Sequence, residues 1–152
     1  MVRAFAGVML IGLLCAGCAT EPAVTPPPKQ QFATPRRVVE MAADAAPSGV
    51  LGIVDMTVRG TGIDDGYVYL NSEEDYRDQR NLSIAIPPQA VAAFKERFGA
   101  APEDFFKGKH IHVRGMARRV KISFISNGRV TEKYYYLTHL TAGAPTQITL
   151  VP

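Results

Sequence analysis

His110 and His112 stand two apart in the run His-Ile-His-Val-Arg. On a β-strand that spacing sends both imidazoles out of one face, roughly 6.5–7 Å apart. His139 falls on the strand that follows. Two imidazoles make half of a zinc or copper site, which recruits a third and fourth donor. The sequence sets no cysteine and no clustered carboxylate beside them, so it predicts exposed strand histidines and no bound metal. The acidic run Glu73, Glu74, Asp75 and Asp78 has oxygen enough for calcium but lacks the alternating Asp-x-Asp-x-Asp-Gly spacing of a dedicated loop. A solvated turn is the expectation. No Gly-x-Ser-x-Gly elbow occurs, and no Ser or Asp partner is evident for the histidines. Arg118 and Arg119 could clamp a phosphate, yet the carboxylate set of a metal-assisted nuclease is missing. The expectation is a non-enzyme with no catalytic residue and no cofactor.

Binding chemistry is better provided for. Arg118, Arg119, Lys121, Arg129 and Lys133 flank a predicted hairpin, Tyr134, Tyr135 and Tyr136 follow it, and Tyr67 and Tyr69 alternate on an earlier strand. Cations beside aromatic faces equip a groove for an oligosaccharide, a peptide or single-stranded nucleic acid. Three consecutive tyrosines cannot share one face, and partly buried barrel tyrosines are the blander role for them. The candidate ligand-binding set is therefore Tyr67, Tyr69, Arg118, Arg119, Lys121, Tyr134 and Tyr136.

These side chains must be carried by strands. Val54, Met56 and Val58 alternate with Asp55, Thr57 and Arg59, which predicts a first strand over 50–59, and Gly60 to Gly66 supplies turn residues. Tyr67 to Asn71 and Arg80 to Ile86 read as strands two and three. Val91, Phe94 and Phe98 recur at helical spacing before Gly99, so a helix is expected over 89–98, with one more turn at 102–106. Ile111 and Val113 on the fourth strand have opposite parity to Val120, Ile122 and Phe124, which predicts a β-bulge around Ala117 to Arg119. Asn127-Gly128 signals a tight turn into a fifth strand over 130–140, and Gln147 to Val151 is a last extended piece. Three strands, a helix and two long strands is the order of a five-stranded OB-fold-like Greek-key barrel, an all-β class with one or two short helices. The barrel is expected to occupy 49–152.

The chain ahead of it has another character. Arg3, the apolar run Ala4 to Leu14, and small Ala16 and Gly17 before Cys18 form an export leader, too short to span a bilayer. The segment Leu-Leu-Cys-Ala-Gly-Cys resembles the bacterial lipoprotein signal, which implies that 1–17 is removed and that Cys18 is acylated, anchoring the chain to a membrane. Position minus three is Cys15 where that signal usually has Leu, with Leu14 one place earlier. Ala19 in place of Asp implies the outer membrane over the inner. Residues 18–48 read as a Pro-rich tether, with a short helix at 35–46 capped by Thr34; extended geometry over 19–35 reaches roughly 50 Å at about 3.1 Å per residue. Both cysteines, Cys15 and Cys18, lie in or beside the leader, so the body has no thiol for a disulfide or zinc.

Composition bounds the rest. At 152 residues, 47% hydrophobic and 20% charged, the chain is ordinary globular material with room for one domain. Seventeen Lys and Arg against 14 Asp and Glu is only mildly basic, less than a dedicated nucleic-acid binder carries. The stretches VYLNSEEDYRDQRNLSIAI (68–86), GKHIHVRG (108–115) and TQITLV (146–151) resemble a group of small bacterial envelope lipoproteins of unassigned function with an OB-fold-like domain. The resemblance covers residues 50–152 and implies a periplasm-facing, non-catalytic binding or interaction module. Its expected partners are the membrane, through the lipid on Cys18, and an envelope glycan, peptide or protein. The alternatives are a single-stranded nucleic-acid-binding domain and a structural envelope protein without a small ligand.

Overall fold

The computed structural model describes residues 31–152. The expected leader, Cys15, Cys18 and residues 18–30 of the Pro-rich tether lie outside the described residues. The elements run in the order β1 (Phe32–Ala33), α1 (Pro35–Asp44), β2 (Val50–Thr57), β3 (Gly60–Asp64), β4 (Tyr67–Asn71), β5 (Leu82–Ile86), α2 (Pro88–Phe98), α3 (Pro102–Phe106), β6 (His110–Ser126), β7 (Arg129–Thr141), a 3-10 turn at Pro145–Gln147, and β8 (Ile148–Leu150). The fold is β-rich, with a few short helices on an open mixed sheet. Strand order is β1-β2-β6-β7-β5-β4-β3, with β8 beside β6. The pairs β1–β2 and β5–β7 are parallel and the others antiparallel.

Alternation builds one core from these strands. Val54 and Met56 on β2, Val68 and Leu70 on β4, Ile84 on β5 and Ile111 on β6 are each 3% exposed or less. Phe94 of α2 and Phe106 of α3 meet edge to face at 6.3 Å and are both fully buried. The α1 helix closes on the same core through Val38 and Ala42. Its start is as the sequence suggests: Pro35 opens the first turn, and Thr34 Oγ1 accepts from the Arg37 N–H at 3.4 Å. The segment expected as tether thus joins the sheet at Phe32, and α1 packs on it. The folded unit begins well before residue 49.

Three local expectations are corrected. The region 60–66 is not one turn: β3 occupies most of it and the reversal is Asp65-Gly66 alone, both at positive φ. Gly60 lies in that strand close against the loop backbone, where a Cβ would stand 3.0 Å from the Glu73 carbonyl oxygen. The sheet has eight strands, since β3 forms where turn residues are expected, short β1 adds to β2, and the last extended piece pairs with β6 as β8. Finally, β6 runs without a bulge through Ala117 to Arg119; its register breaks between Ser123 and Ile125, where Phe124 faces Thr131 to Lys133 of β7. The change of parity has another cause. Beyond Ala117 the core side of β6 is open, so Arg119 and Lys121 occupy it, while Val120 and Ile122 half-bury on the reverse face opposite Leu137 and Tyr135.

The edge of β6 is shared, β8 taking Ile111 to Val113 and β7 taking Ala117 onward. Gln147 holds the fork: its Nε2 donates to the Arg114 carbonyl at 3.0 Å and the Thr141 carbonyl at 3.2 Å. Gly115 sits inside it, where a Cβ would press to 2.6 Å from Leu140 Cδ2.

Candidate functional site

Past residue 117, β6 and β7 form a long hairpin turned by Asn127 and Gly128, at φ 51° and 71°. On the face that continues from the core, Arg119 and Lys121 of β6 interleave with Tyr136 and Tyr134 of β7. The Arg119 guanidinium lies 3.9 Å from the Tyr136 ring centroid and the Lys121 ammonium 4.2 Å from that of Tyr134. The two tyrosines meet edge to face at 5.5 Å. Side chains two apart on a strand repeat every 6.5–7 Å or so, so the face is a short row of alternating cation and ring. A cavity of about 440 Å³ adjoins it, between β7 and the Glu40 side of α1.

The remaining candidates lie elsewhere. Arg118, one residue from Arg119, faces the other side of the sheet, where its Nε donates to the Ser48 carbonyl at 3.4 Å. Tyr67 and Tyr69 stack at 6.0 Å on the outer face of β4, and Tyr69 reaches His139 at 5.5 Å. Burial pushes the Tyr69 phenol up, with Asp64 adding to the effect. Burial holds the His139 imidazole below its ordinary value of 6.5. The expected single groove is therefore two surfaces. Arg119, Lys121, Tyr134 and Tyr136 make one, and Tyr67, Tyr69 and Arg118 belong to the reverse face with His139, which pairs with Arg118.

The acidic loop is organised by arginine. Asp75 accepts from the Arg77 side chain and Asp78 from that of Arg80, at 3.0 and 2.7 Å, and Glu73 faces Arg59 at 3.5 Å. The Arg80 hydrogen bonds hold the Asp78 carboxyl down to about 2, and Arg77 lowers that of Asp75. Beneath the loop is buried Asn81, whose Oδ1 accepts from Ser72 Oγ and the Glu73 N–H while its Nδ2 donates to Ser83 Oγ at 3.0 Å.

At the opposite end of β6 the structure supplies the carboxylate that sequence reasoning missed. Asp55 of β2 pairs with His112, and Thr57 with His110. His110 Nε2 donates to Asp55 Oδ1, and His112 Nε2 lies 3.6 Å from the same oxygen. Phe32 of β1 stacks on the His112 ring at 4.0 Å. The alternation of Asp55 with Val54 and Met56 did mark it as outward-facing; what the sequence lacks is the register that sets it against His112. No protein-family model matches the chain, and neither a curated protein nor a solved structure does. A cavity of about 770 Å³ beneath α1, beside β1 and β2, has Arg37 as the one charged residue among its described lining.

Proposed function

We propose that the chain is a membrane-anchored periplasmic lipoprotein whose barrel is a non-catalytic binding module, holding an anionic envelope glycan along the β6–β7 hairpin. The row Arg119, Tyr136, Lys121, Tyr134 carries the reading. It fixes two cations about one strand repeat apart with an aromatic ring beside each, the spacing and chemistry of an extended chain that alternates charge with apolar ring faces. Immobilising a cation already held over its own tyrosine costs less ordering entropy than immobilising a free lysine.

An OB-like barrel is the architecture that suits this role. In its support, only Val58 and Arg59 separate β2 from β3, and they bond in different directions: Val58 N–H to the Lys109 carbonyl and Arg59 N–H to the Asn71 carbonyl, both at 2.9 Å. Taken as one strand that switches partner, β2 and β3 join the two ends of the path through β6, β7, β5 and β4. Five barrel strands result, with α2 between the third and fourth. The hairpin is then the loop between barrel strands four and five, an element OB-folds use for oligosaccharides and oligonucleotides. The stacked pair Tyr67 and Tyr69 on barrel strand two favours the second reading, a single-stranded nucleic-acid binder whose bases stack there. Anchoring through Cys18 and an outer-membrane location belong to the same proposal and rest on the leader sequence.

The test is amide NMR of the full chain in detergent, titrated with soluble peptidoglycan fragments and with a short single-stranded DNA at two salt concentrations. Shifts at Arg119, Lys121, Tyr134 and Tyr136 with the glycan, weakened about tenfold by Arg119→Ala with Lys121→Ala, are expected. Tighter binding of DNA, lost steeply with salt and centred on Tyr67 and Tyr69, selects the second reading. Silence toward both overturns the proposal.

A further inference from the structure

The outer face at the start of β6 gathers donors that lie 55 residues apart in the chain. His110 and His112 leave that face together because they stand two apart on the strand, and antiparallel pairing with β2 sets Asp55 opposite His112, where its carboxylate reaches the His110 ring. One donor atom from each residue falls within 4.8 Å of the other two, and among the described residues this is the one cluster of three such groups. A zinc ion with bonds of about 2.0–2.1 Å keeps tetrahedral donors roughly 3.3 Å apart. The 3.6 Å from His112 Nε2 to Asp55 Oδ1 is already near that separation.

We propose that Asp55, His110 and His112 bind a divalent transition-metal ion of the zinc class, through two imidazole nitrogens and one carboxylate oxygen. Three protein donors leave coordination positions for water or a ligand, which is the composition of an open rather than a purely structural site. The ion neutralises the Asp55 carboxylate and holds both imidazoles in their neutral form. The donors are accessible to it: the Asp55, His110 and His112 side chains are 40%, 43% and 25% exposed. They are also held. Pairing on both edges fixes the backbone at His112, with Asp55 on one side and Thr149 of β8 on the other, and Phe32 fixes the ring by stacking. Beside His112 a cavity of about 470 Å³ is lined by Arg114, Thr146 and Thr149, so a small anion on an open position of the ion has a cation next to it. His139 takes no part, since it pairs with Arg118 and leans on Tyr69. The site is independent of the hairpin and of any glycan it holds.

The experiment is titration of the full chain in detergent at pH 7 with zinc chloride, followed by histidine-ring NMR and by calorimetry. One equivalent is expected to move the His110 and His112 ring signals and leave those of His139 in place. Asp55→Asn and His112→Ala each weaken uptake about tenfold or more, and zinc raises the melting temperature of the wild type but not of Asp55→Asn. His110→Ala, at an exposed position, supplies the same comparison if either variant fails to fold. Ring signals unmoved at millimolar zinc, or uptake that the substitutions leave unchanged, overturns the proposal.

Discussion

Along β6, residues Ile111 to Val113 are paired on both edges, with β2 and with β8, whereas Arg118 to Ser126 pair with β7 alone. The two ends differ accordingly in what holds their side chains. At the first end the register of three strands and the stacked Phe32 set Asp55, His110 and His112 around one point. At the second, Arg119 and Lys121 are held by the tyrosines they lie over, and Phe124, Ile125 and Val130 near the tip stay 51–71% exposed. On the two proposals made above, a single strand serves two kinds of recognition. Donors for an ion need positions good to a few tenths of an ångström, which only a strand fixed on both edges supplies. A polymer that stacks and pairs along a row tolerates a surface that adjusts, and a hairpin with free edges provides it.

Removing the same apolar atoms at each end should separate the two most strongly. Ile111 is fully buried and Ile125 is 71% exposed. Ile111→Ala is expected to cost ~2–5 kcal/mol, the cavity cost of an aliphatic core residue, and Ile125→Ala to stay within about 0.5 kcal/mol. Urea unfolding at unchanged slope measures both. Similar losses would mean that the hairpin is as much a part of the cooperative core as the strand body, and the division would fail.

How far these features are legible in the sequence follows the same division. Local chemistry announces local structure: Thr34-Pro35 starts α1, Gly99 at φ 79° ends α2, and Asn127-Gly128 turns the hairpin. Alternation alone already required Arg118 and Arg119 to face apart, so the split of the groove was readable from two adjacent residues. The cluster at Asp55 was not. Its members meet only through pairing of distant strands, and nothing within either strand fixes that register. Gly60 and Gly62 misled because glycine marks turns by propensity, whereas Gly60 lies in a strand, close against the Glu73 carbonyl.

A smaller effect separates the regions by pH. His139 lies in the strand body between Tyr69 and Arg118, and burial lowers its imidazole below 6.5. The unfolded chain therefore takes up this proton first, and stability falls as pH drops below 6.5, levelling off once pH is under the folded value. His139→Gln is expected to flatten that part of the urea-midpoint profile between pH 7 and 5. A profile that the substitution leaves unchanged would remove His139 from the account and leave the strand body without this acid sensitivity.

The smallest effect concerns the loop 72–81, which lies against the outer side of the hairpin: burial raises the Tyr135 phenol, with Tyr76 the next contribution. Asp78 in this loop is held down to about 2 by Arg80, against an ordinary 3.8. A depressed carboxyl stabilises the fold fully above 3.8, and the contribution is lost as pH falls through about 2. The loop should therefore keep its ion pairs across the range in which His139 weakens the strand body, and release them only in strong acid. Carbon-detected NMR of the Asp78 carboxyl is expected to give a midpoint near 2 that moves toward 3.8 in Arg80→Gln. Being solvent-facing, the pair should barely move the unfolding midpoint at neutral pH. A wild-type midpoint near 3.8 would mean that Arg80 is not committed to Asp78. The loop would then offer an uncommitted guanidinium at Arg80, with Glu73 as its next carboxylate.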